Sequence, residues 1–335
     1  MKKLSLLLCL ISLLFLSCKT KEVEKAKSIA VFVPGIIDNS PVYEMLVEGI
    51  KEAVYGYNEE VEEAKAVQLF VMEAGTNQAE WGNKLLGLAA SQQYDLIISS
   101  NPSLPELTLP IIEAFPNQKF ILLDASYAGN ENIYTVCYNQ YEQSYLTGYI
   151  AALMSKTHKV ALIAAQEYPV MNNILYPYFE KGAKAANPQT KAEFRLVGNW
   201  YDATKAAEIS ESLISTGVDV ILPICGGASQ GVIKTAVEKN IYITWFDNNG
   251  FAKAPGRIIS STVMEQKRMA YEITVQYIKD EINWGKADMV GLEKGYVNFV
   301  QDDRFYIQTV PLEIRNKMAS LISDIKNRKI IIQEL

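Results

Sequence analysis

The sequence predicts an α/β protein: two doubly wound parallel-sheet lobes with a ligand cleft between them. Three observations carry that expectation. Short apolar runs alternate with helical patterns along almost the whole chain, which is the signature of parallel sheets. The first run, Ile29-Ala30-Val31-Phe32-Val33, is apolar at every position, as in a strand covered on both faces. There are too many such runs for one comfortable sheet, so two lobes facing each other are the natural arrangement.

The elements follow in order. Pro34-Gly35 ends the first strand, and Met45, Leu46, Gly49, Ile50 and Ala53 then recur at helical spacing, giving that helix one buried side. Later strands are expected at Ala66 to Met72, Asp95 to Ser99, Phe120 to Leu123, Tyr134 to Tyr138 and Val160 to Ala164. Phe194 to Asn199, Val218 to Ile224, Tyr242 to Phe246 and Ile258 to Val263 complete the set. Helices fill the gaps at Gln78 to Ala90, Pro105 to Ala114, Gln143 to Ser155, Asn172 to Ala186, Thr204 to Thr216, Gln230 to Glu238 and Glu265 to Ile282. Several end in Gly or Asn, as helices often do.

Lys2 and Lys3 precede an apolar segment, Leu4 to Leu16, that closes on Ser17-Cys18. The apolar part is shorter than the roughly 20 residues a membrane-spanning helix needs, so it reads as an export signal. Phe15-Leu16-Ser17-Cys18 resembles the lipobox of bacterial lipoproteins, with Phe15 where leucine is usual. A signal peptide over 1–17, lipidation at Cys18 and a polar tether over 18–27 are therefore expected, which puts the protein in the bacterial cell envelope. A plain secretory signal is the alternative.

Without Lys2 and Lys3 the chain carries 30 basic against 38 acidic residues, a balance that argues against nucleic acid as a partner. Cys137 and Cys225 lie in separate strand-like runs without tight spacing, so buried free thiols are favoured over a disulfide. His158 is the single histidine. With neither a zinc-spaced His/Cys cluster nor a nucleophile elbow, no cofactor and no metal are expected, and an enzyme is not.

A chain of motifs then becomes specific. Leu123-Asp124, Asn132-Ile133, Ser144-Tyr145-Leu146-Thr147-Gly148-Tyr149-Ile150-Ala151-Ala152, Ser155 to Val160, Phe179-Glu180-Lys181-Gly182-Ala183 and Asn187-Pro188 occur in that order. Gly217 to Ile221, Gly226-Gly227 with Gly231-Val232, Phe246-Asp247 and Ile259-Ser260-Ser261 continue it. Together these resemble the basic membrane protein family, lipid-anchored solute-binding proteins of ABC importers typified by purine nucleoside receptors. The resemblance implies a type I periplasmic-binding-protein fold, a small-molecule ligand, an ABC transporter permease as partner and action as a monomer. It further implies three passages between lobes, placed near Asn130, Asn249 and Gly285. The lobes then comprise 28–130 plus 250–284 and 131–249 plus 285–335.

Asp38, Asp124 and Asp247 each follow a strand pattern, which brings carboxylates to the strand ends where ligands settle in open α/β sheets. A carboxylate can accept two sugar hydroxyls at once. Gly226 and Gly227 let backbone amides approach a ligand. Tyr43, Trp81, Tyr168, Phe179 and Trp245 are candidates for stacking on a flat base. By the resemblance, Asp38, Asp124, Phe179, Gly226 and Asp247 match positions lining a nucleoside site, with Asn39 compensating for the family's first-loop aromatic and amide, absent at Pro41-Val42. Each has a plainer reading. An Asp after a strand also serves as a cap or turn, and Phe179, Trp81 and Trp245 also read as packing. Glu265 stands where the family carries lysine, with Lys267 two residues on, which reverses a charge beside the cleft. Sensory reception on the same fold is one alternative. A nucleoside hydrolase using Asp38 and Asp124 is a remoter one.

Overall fold

The computed structural model describes residues 26–38 and 40–334. The export signal, Cys18, most of the tether and Asn39 therefore lie outside the described residues. Ten of the twelve strands among the described residues are the ones the apolar runs predict. The first sheet holds β1 (Ser28–Val33), β2 (Gln68–Glu73), β3 (Leu96–Ser100), β4 (Lys119–Leu123), β5 (Ile133–Tyr138) and β11 (Ala287–Val290), in the order β11-β5-β4-β3-β1-β2. The second holds β6 (Lys159–Ala164), β7 (Lys191–Leu196), β8 (Val220–Ile224), β9 (Tyr242–Asp247), β10 (Ile258–Met264) and β12 (Val297–Phe299), in the order β12-β10-β9-β8-β6-β7. Pairing is parallel except between β10 and β12.

Burial follows position in the sheet. Ile29 to Val33 of central β1 are fully buried, because helices cover both faces. Edge strands β2 and β7 are largely exposed. The helices are α1 (Pro41–Glu60), α2 (Trp81–Ala90), α3 (Leu104–Ala114), α4 (Gln140–Met154), α5 (Tyr176–Ala186), α6 (Ala203–Ser215), α7 (Ser229–Lys239), α8 (Gln266–Ile278), α9 (Arg304–Thr309) and α10 (Leu312–Lys326). A π-helical turn at Met171–Leu175 leads into α5.

The passages between sheets fall later than the places expected for them from the resemblance. Asn130 introduces β5, which pairs parallel with β4 in the first sheet, so the chain leaves that sheet only at Asn139, whose side chain caps α4. Asn249 precedes β10, which stays beside β9 in the second sheet; the return comes at Glu265, before α8 packs on α1. Their backbones touch closely enough that a Cβ on Gly49 of α1 would lie 2.2 Å from the Lys267 carbonyl oxygen. The third passage lies between β11 and β12, beyond Gly285, because β11 pairs with β5 of the first sheet. Asn130 and Asn249 each mark a turn between neighbouring strands of one sheet, and Gly285 marks the entry from α8 into β11, so the expected lobe limits move with them.

Helix α4 is buried nearly all round and lies against α5 at backbone contact. A Cβ on Gly148 would come within 1.9 Å of the Phe179 carbonyl oxygen, and one on Gly182 within 2.0 Å of that of Tyr145. Cys137 and Cys225 are both free thiols, each pushed up to about 11 by burial. Among the described residues no helix is long and apolar enough to cross a membrane.

Candidate functional site

In both sheets the strand order reverses direction beside the first strand of that lobe, β1 in one and β6 in the other. The carboxyl ends of the strands at such a switch point form a natural crevice. Asp124 follows β4 and Asp247 ends β9, so the two acids come from different sheets. Both take positive φ, +52° and +71°, a conformation that Asp tolerates better than most residues because its short side chain can bond locally.

Their chemistry is coupled. Burial holds the Asp124 carboxyl well above the usual carboxylate range, and the charge of nearby Asp247 raises it further. Burial lifts Asp247 to about 6, against the opposing pull of an amide hydrogen bond from Gln143. Gln140 Nε2 donates to Asp124 Oδ1 at 2.9 Å, and Gln143 Nε2 donates to Asp247 Oδ1 at 3.2 Å. Burial raises the Tyr168 phenol, after β6, and the nearby charges of Asp124 and Asp247 raise it further.

Aromatic groups complete the surround. Tyr43, in the first turn of α1, donates to the Pro34 carbonyl at 3.0 Å and accepts from Asn101 Nδ2 at 3.3 Å. Its phenol is raised by burial, lowered by that Asn101 bond and raised again by Tyr201 and Asp124. The first-lobe tyrosine thus faces Tyr201, which precedes α6 in the second lobe. Trp200 lies 6.3 Å from Tyr168 between ring centroids. Gly226 has φ +57°, and a Cβ there would stand 3.2 Å from the Trp200 ring; only glycine meets both demands comfortably. Gly227 adjoins Trp200 and Tyr201.

A second set of bonds ties the passages to the crevice. Gln266, at the start of α8, donates to Ser100 Oγ at 2.7 Å and accepts from the Tyr138 hydroxyl at 2.6 Å. The hydroxyls of Thr147 and Thr262 lie 2.6 Å apart between α4 and β10.

The structure thus brings Asp124, Asp247, Gly226, Gly227, Tyr43 and Tyr168 to one region. Asp38 lies exposed on the loop after β1. Phe179 requires correction: it is fully buried at the α4–α5 contact, because the Gly148 and Gly182 approach draws its turn into the core. Trp81 packs in the first lobe with Nε1 donating to Gly75 O at 2.8 Å, and Trp245 donates to Asn248 Oδ1 at 2.7 Å, so both follow their packing reading. Glu265 occupies the N-cap position of α8 and accepts from Asn298 Nδ2 at 3.0 Å. Lys267 does not offset it, since it pairs with Glu48 and Glu52 on α1. His158 sits in a turn at φ +60° with its ring beside Asn187.

Sequence reasoning missed Asn101, Gln140, Gln143, Trp200 and Tyr201. A usable signal existed for two of them: adjacent aromatics inside Gly198-Asn199-Trp200-Tyr201-Asp202, a run of turn residues in which Tyr201 stands exposed and Trp200 half-buried.

Comparison with known proteins follows the same geometry. The solved ABC transporter solute-binding protein of Aeropyrum pernix K1 superposes with a TM-score of 0.75 at 19% identity, covering 91% of each chain. That of Conexibacter woesei gives 0.61 at 17% identity, over 91% of this chain and 98% of its own. These likenesses establish the type I periplasmic-binding fold. In sequence, Basic membrane protein A2 of Borrelia garinii subsp. bavariensis is 27% identical over 345 aligned residues, 99% of this chain and 96% of its own. Basic membrane protein A of Borreliella burgdorferi is likewise 27% identical, over the same shares. The family model described as "ABC transporter substrate-binding protein PnrA-like" matches residues 26–333. The chain belongs to that family of extracytoplasmic ABC transporter substrate-binding proteins.

Proposed function

We propose that this protein captures a nucleoside, a purine nucleoside first, in the crevice between its two sheets and delivers it to an ABC importer. The observation that carries this reading is the convergence of Asp124 and Asp247 from opposite lobes beside Tyr168 and Trp200. Paired carboxylates suit the hydroxyls of a sugar, and aromatic faces suit a base, whose stacking contributes roughly 1 to 3 kcal/mol. Asp38, on the loop after β1, the Asn39 that follows it in sequence, Gly226 and Gly227 are the further contacts in this reading. The protein acts as a monomer, held at the membrane by acylated Cys18.

A thermal-shift screen with guanosine, adenosine, inosine, cytidine and uridine tests the ligand. Ligand at about 100 times its dissociation constant adds roughly 2.7 kcal/mol, enough to raise the melting temperature by several degrees. No shift with any of the five, beside stabilisation by another compound class, contradicts the reading. For the anchor, Cys18→Ser should abolish palmitate labelling in a bacterial host and move the protein to the soluble fraction. Unchanged labelling and fractionation would exclude lipidation there.

A further inference from the structure

Gln140 and Gln143 lie three residues apart on α4, so their side chains share a face of its first turn. Each gives its amide to a carboxyl from a different lobe: Gln140 to Asp124 Oδ1 at 2.9 Å, Gln143 to Asp247 Oδ1 at 3.2 Å. Gln143 is wholly buried, and chemistry fixes which way its amide faces. The same Nε2 also reaches the Thr262 carbonyl oxygen at 3.0 Å, a group that can only accept, so a flipped amide would set oxygen against oxygen. Oε1 of Gln143 is then left buried with no hydrogen-bond donor among the described residues, and such an atom carries a real desolvation cost until a donor meets it.

The arrangement has a chemical consequence. One oxygen of each carboxyl is already engaged by an amide, and two facing acids that would repel are each given a charge-assisted bond. The acceptor left without a donor, Gln143 Oε1, belongs to the same amide that holds Asp247 Oδ1. We propose that Gln140 and Gln143 form a two-amide bracket that positions the carboxyls of Asp124 and Asp247, with Gln143 selecting a ligand that carries two adjacent hydrogen-bond donors, such as the vicinal hydroxyls of a sugar. This rests on the reading that Asp247 faces the ligand. An anionic group at the same point would meet only acceptors from these residues and be rejected.

The other groups facing these acids do not titrate in their range. Tyr138 and Tyr168 face Asp247, and Tyr43, Tyr138, Tyr168 and Cys137 face Asp124. All are held above their ordinary values by burial, which leaves Asp124 governed by its own burial and then by the charge of Asp247, and Asp247 by its burial against the Gln143 bond.

The test combines ligand and protein changes. Calorimetric titration of inosine and its 2′-deoxy and 3′-deoxy forms should show the parent losing tenfold or more in affinity when one vicinal hydroxyl is removed. Gln143→Leu should bind inosine at least tenfold more weakly and discriminate the weaker-binding deoxy form by less than threefold, because the partner of that hydroxyl has gone. Discrimination kept at the parent level would overturn the selection, and would mean that Gln143 Oε1 is met by water. Should Gln143→Leu fail to fold, Gln143→Met serves the same purpose. A second readout needs no ligand: carboxyl NMR titration of the full chain. Gln143→Leu should move the Asp247 midpoint upward, and Gln140→Leu, at a half-buried site, that of Asp124. Unmoved midpoints would overturn the bracket whatever the ligand. Moved midpoints in a protein that binds no nucleoside would instead overturn the nucleoside reading and leave the bracket standing.

Discussion

Asp247 holds its place with a backbone at φ +71°, a conformation that costs most L-residues about 1 to 2 kcal/mol and Asn or Asp less. The informative substitution is therefore Asp247→Asn, which keeps the backbone and removes the charge, whereas Asp247→Ala mixes strain with function. Asp247 is lifted to about 6 in the fold against about 3.9 in an unfolded chain. The folded state thus binds the proton more tightly, and the stability this confers is present below about pH 4 and lost as pH rises through about 6. Asp247→Asn has no such loss. Its ligand-free melting temperature should gain on the parent between pH 4 and 6.5 and keep the gain above, by the equivalent of about 1 to 2 kcal/mol once solvent screening is allowed for. Melting curves across that range check the sign; a gap that stays constant, or narrows as pH rises, contradicts it. That outcome would mean that the acid is retained at a cost in stability, as the proposed binding role requires.

At the scale of elements, the α4–α5 contact is the most demanding. A Cβ at Gly148 would lie 1.9 Å from a backbone oxygen, which no side-chain rotation relieves, so Gly148→Ala must push the helices apart. Overpacking of this kind costs typically 1 to 3 kcal/mol, and the expected result is a melting temperature several degrees lower, with Gly56→Ala as control because nothing lies within 4 Å of that site. Equal melting of the two variants would show that the contact yields easily. This contact also explains Phe179: helical periodicity marks it as apolar, but only the neighbouring glycine reveals how deeply its turn is drawn in. Central strands such as β1, β4 and β8 were legible because covering on both faces demands unbroken apolar runs. Edge strand β7 lies at Lys191–Leu196, three residues before the expected start, since an exposed edge carries no such demand. The short strands β11, Ala-Asp-Met-Val, and β12, Val-Asn-Phe, have too little apolar character to announce themselves, and α9 and α10 escaped with them. Carboxylates at strand ends could be read from order alone. Gln140 and Gln143 could not, because their partners lie in two sheets that only the completed fold brings together.

At the scale of the whole molecule, three passages between lobes fall beside the crevice, at Asn139, at Glu265 and between β11 and β12. Gln266 bonds to Ser100 and Tyr138 at the second, and Leu292 N–H donates to Glu142 Oε2 at 2.8 Å to join the first to the third. With passages grouped in this way the lobes can pivot as rigid bodies around a ligand held from both sides. Asp124 belongs to one lobe and Asp247 to the other, so in the proposed reading binding and lobe closure share the same contacts. We propose that a nucleoside is gripped between these two acids, and calorimetric titration of the five nucleosides into the parent and into Asp247→Asn at pH 7.5, beside melting curves of both, tests this. Losing a charge-assisted bond removes about 1.5 to 3 kcal/mol, so a nucleoside that binds the parent should bind the variant more than tenfold more weakly while the variant melts at the same temperature or higher. Equal affinity in both, or no nucleoside bound by the parent, would contradict it.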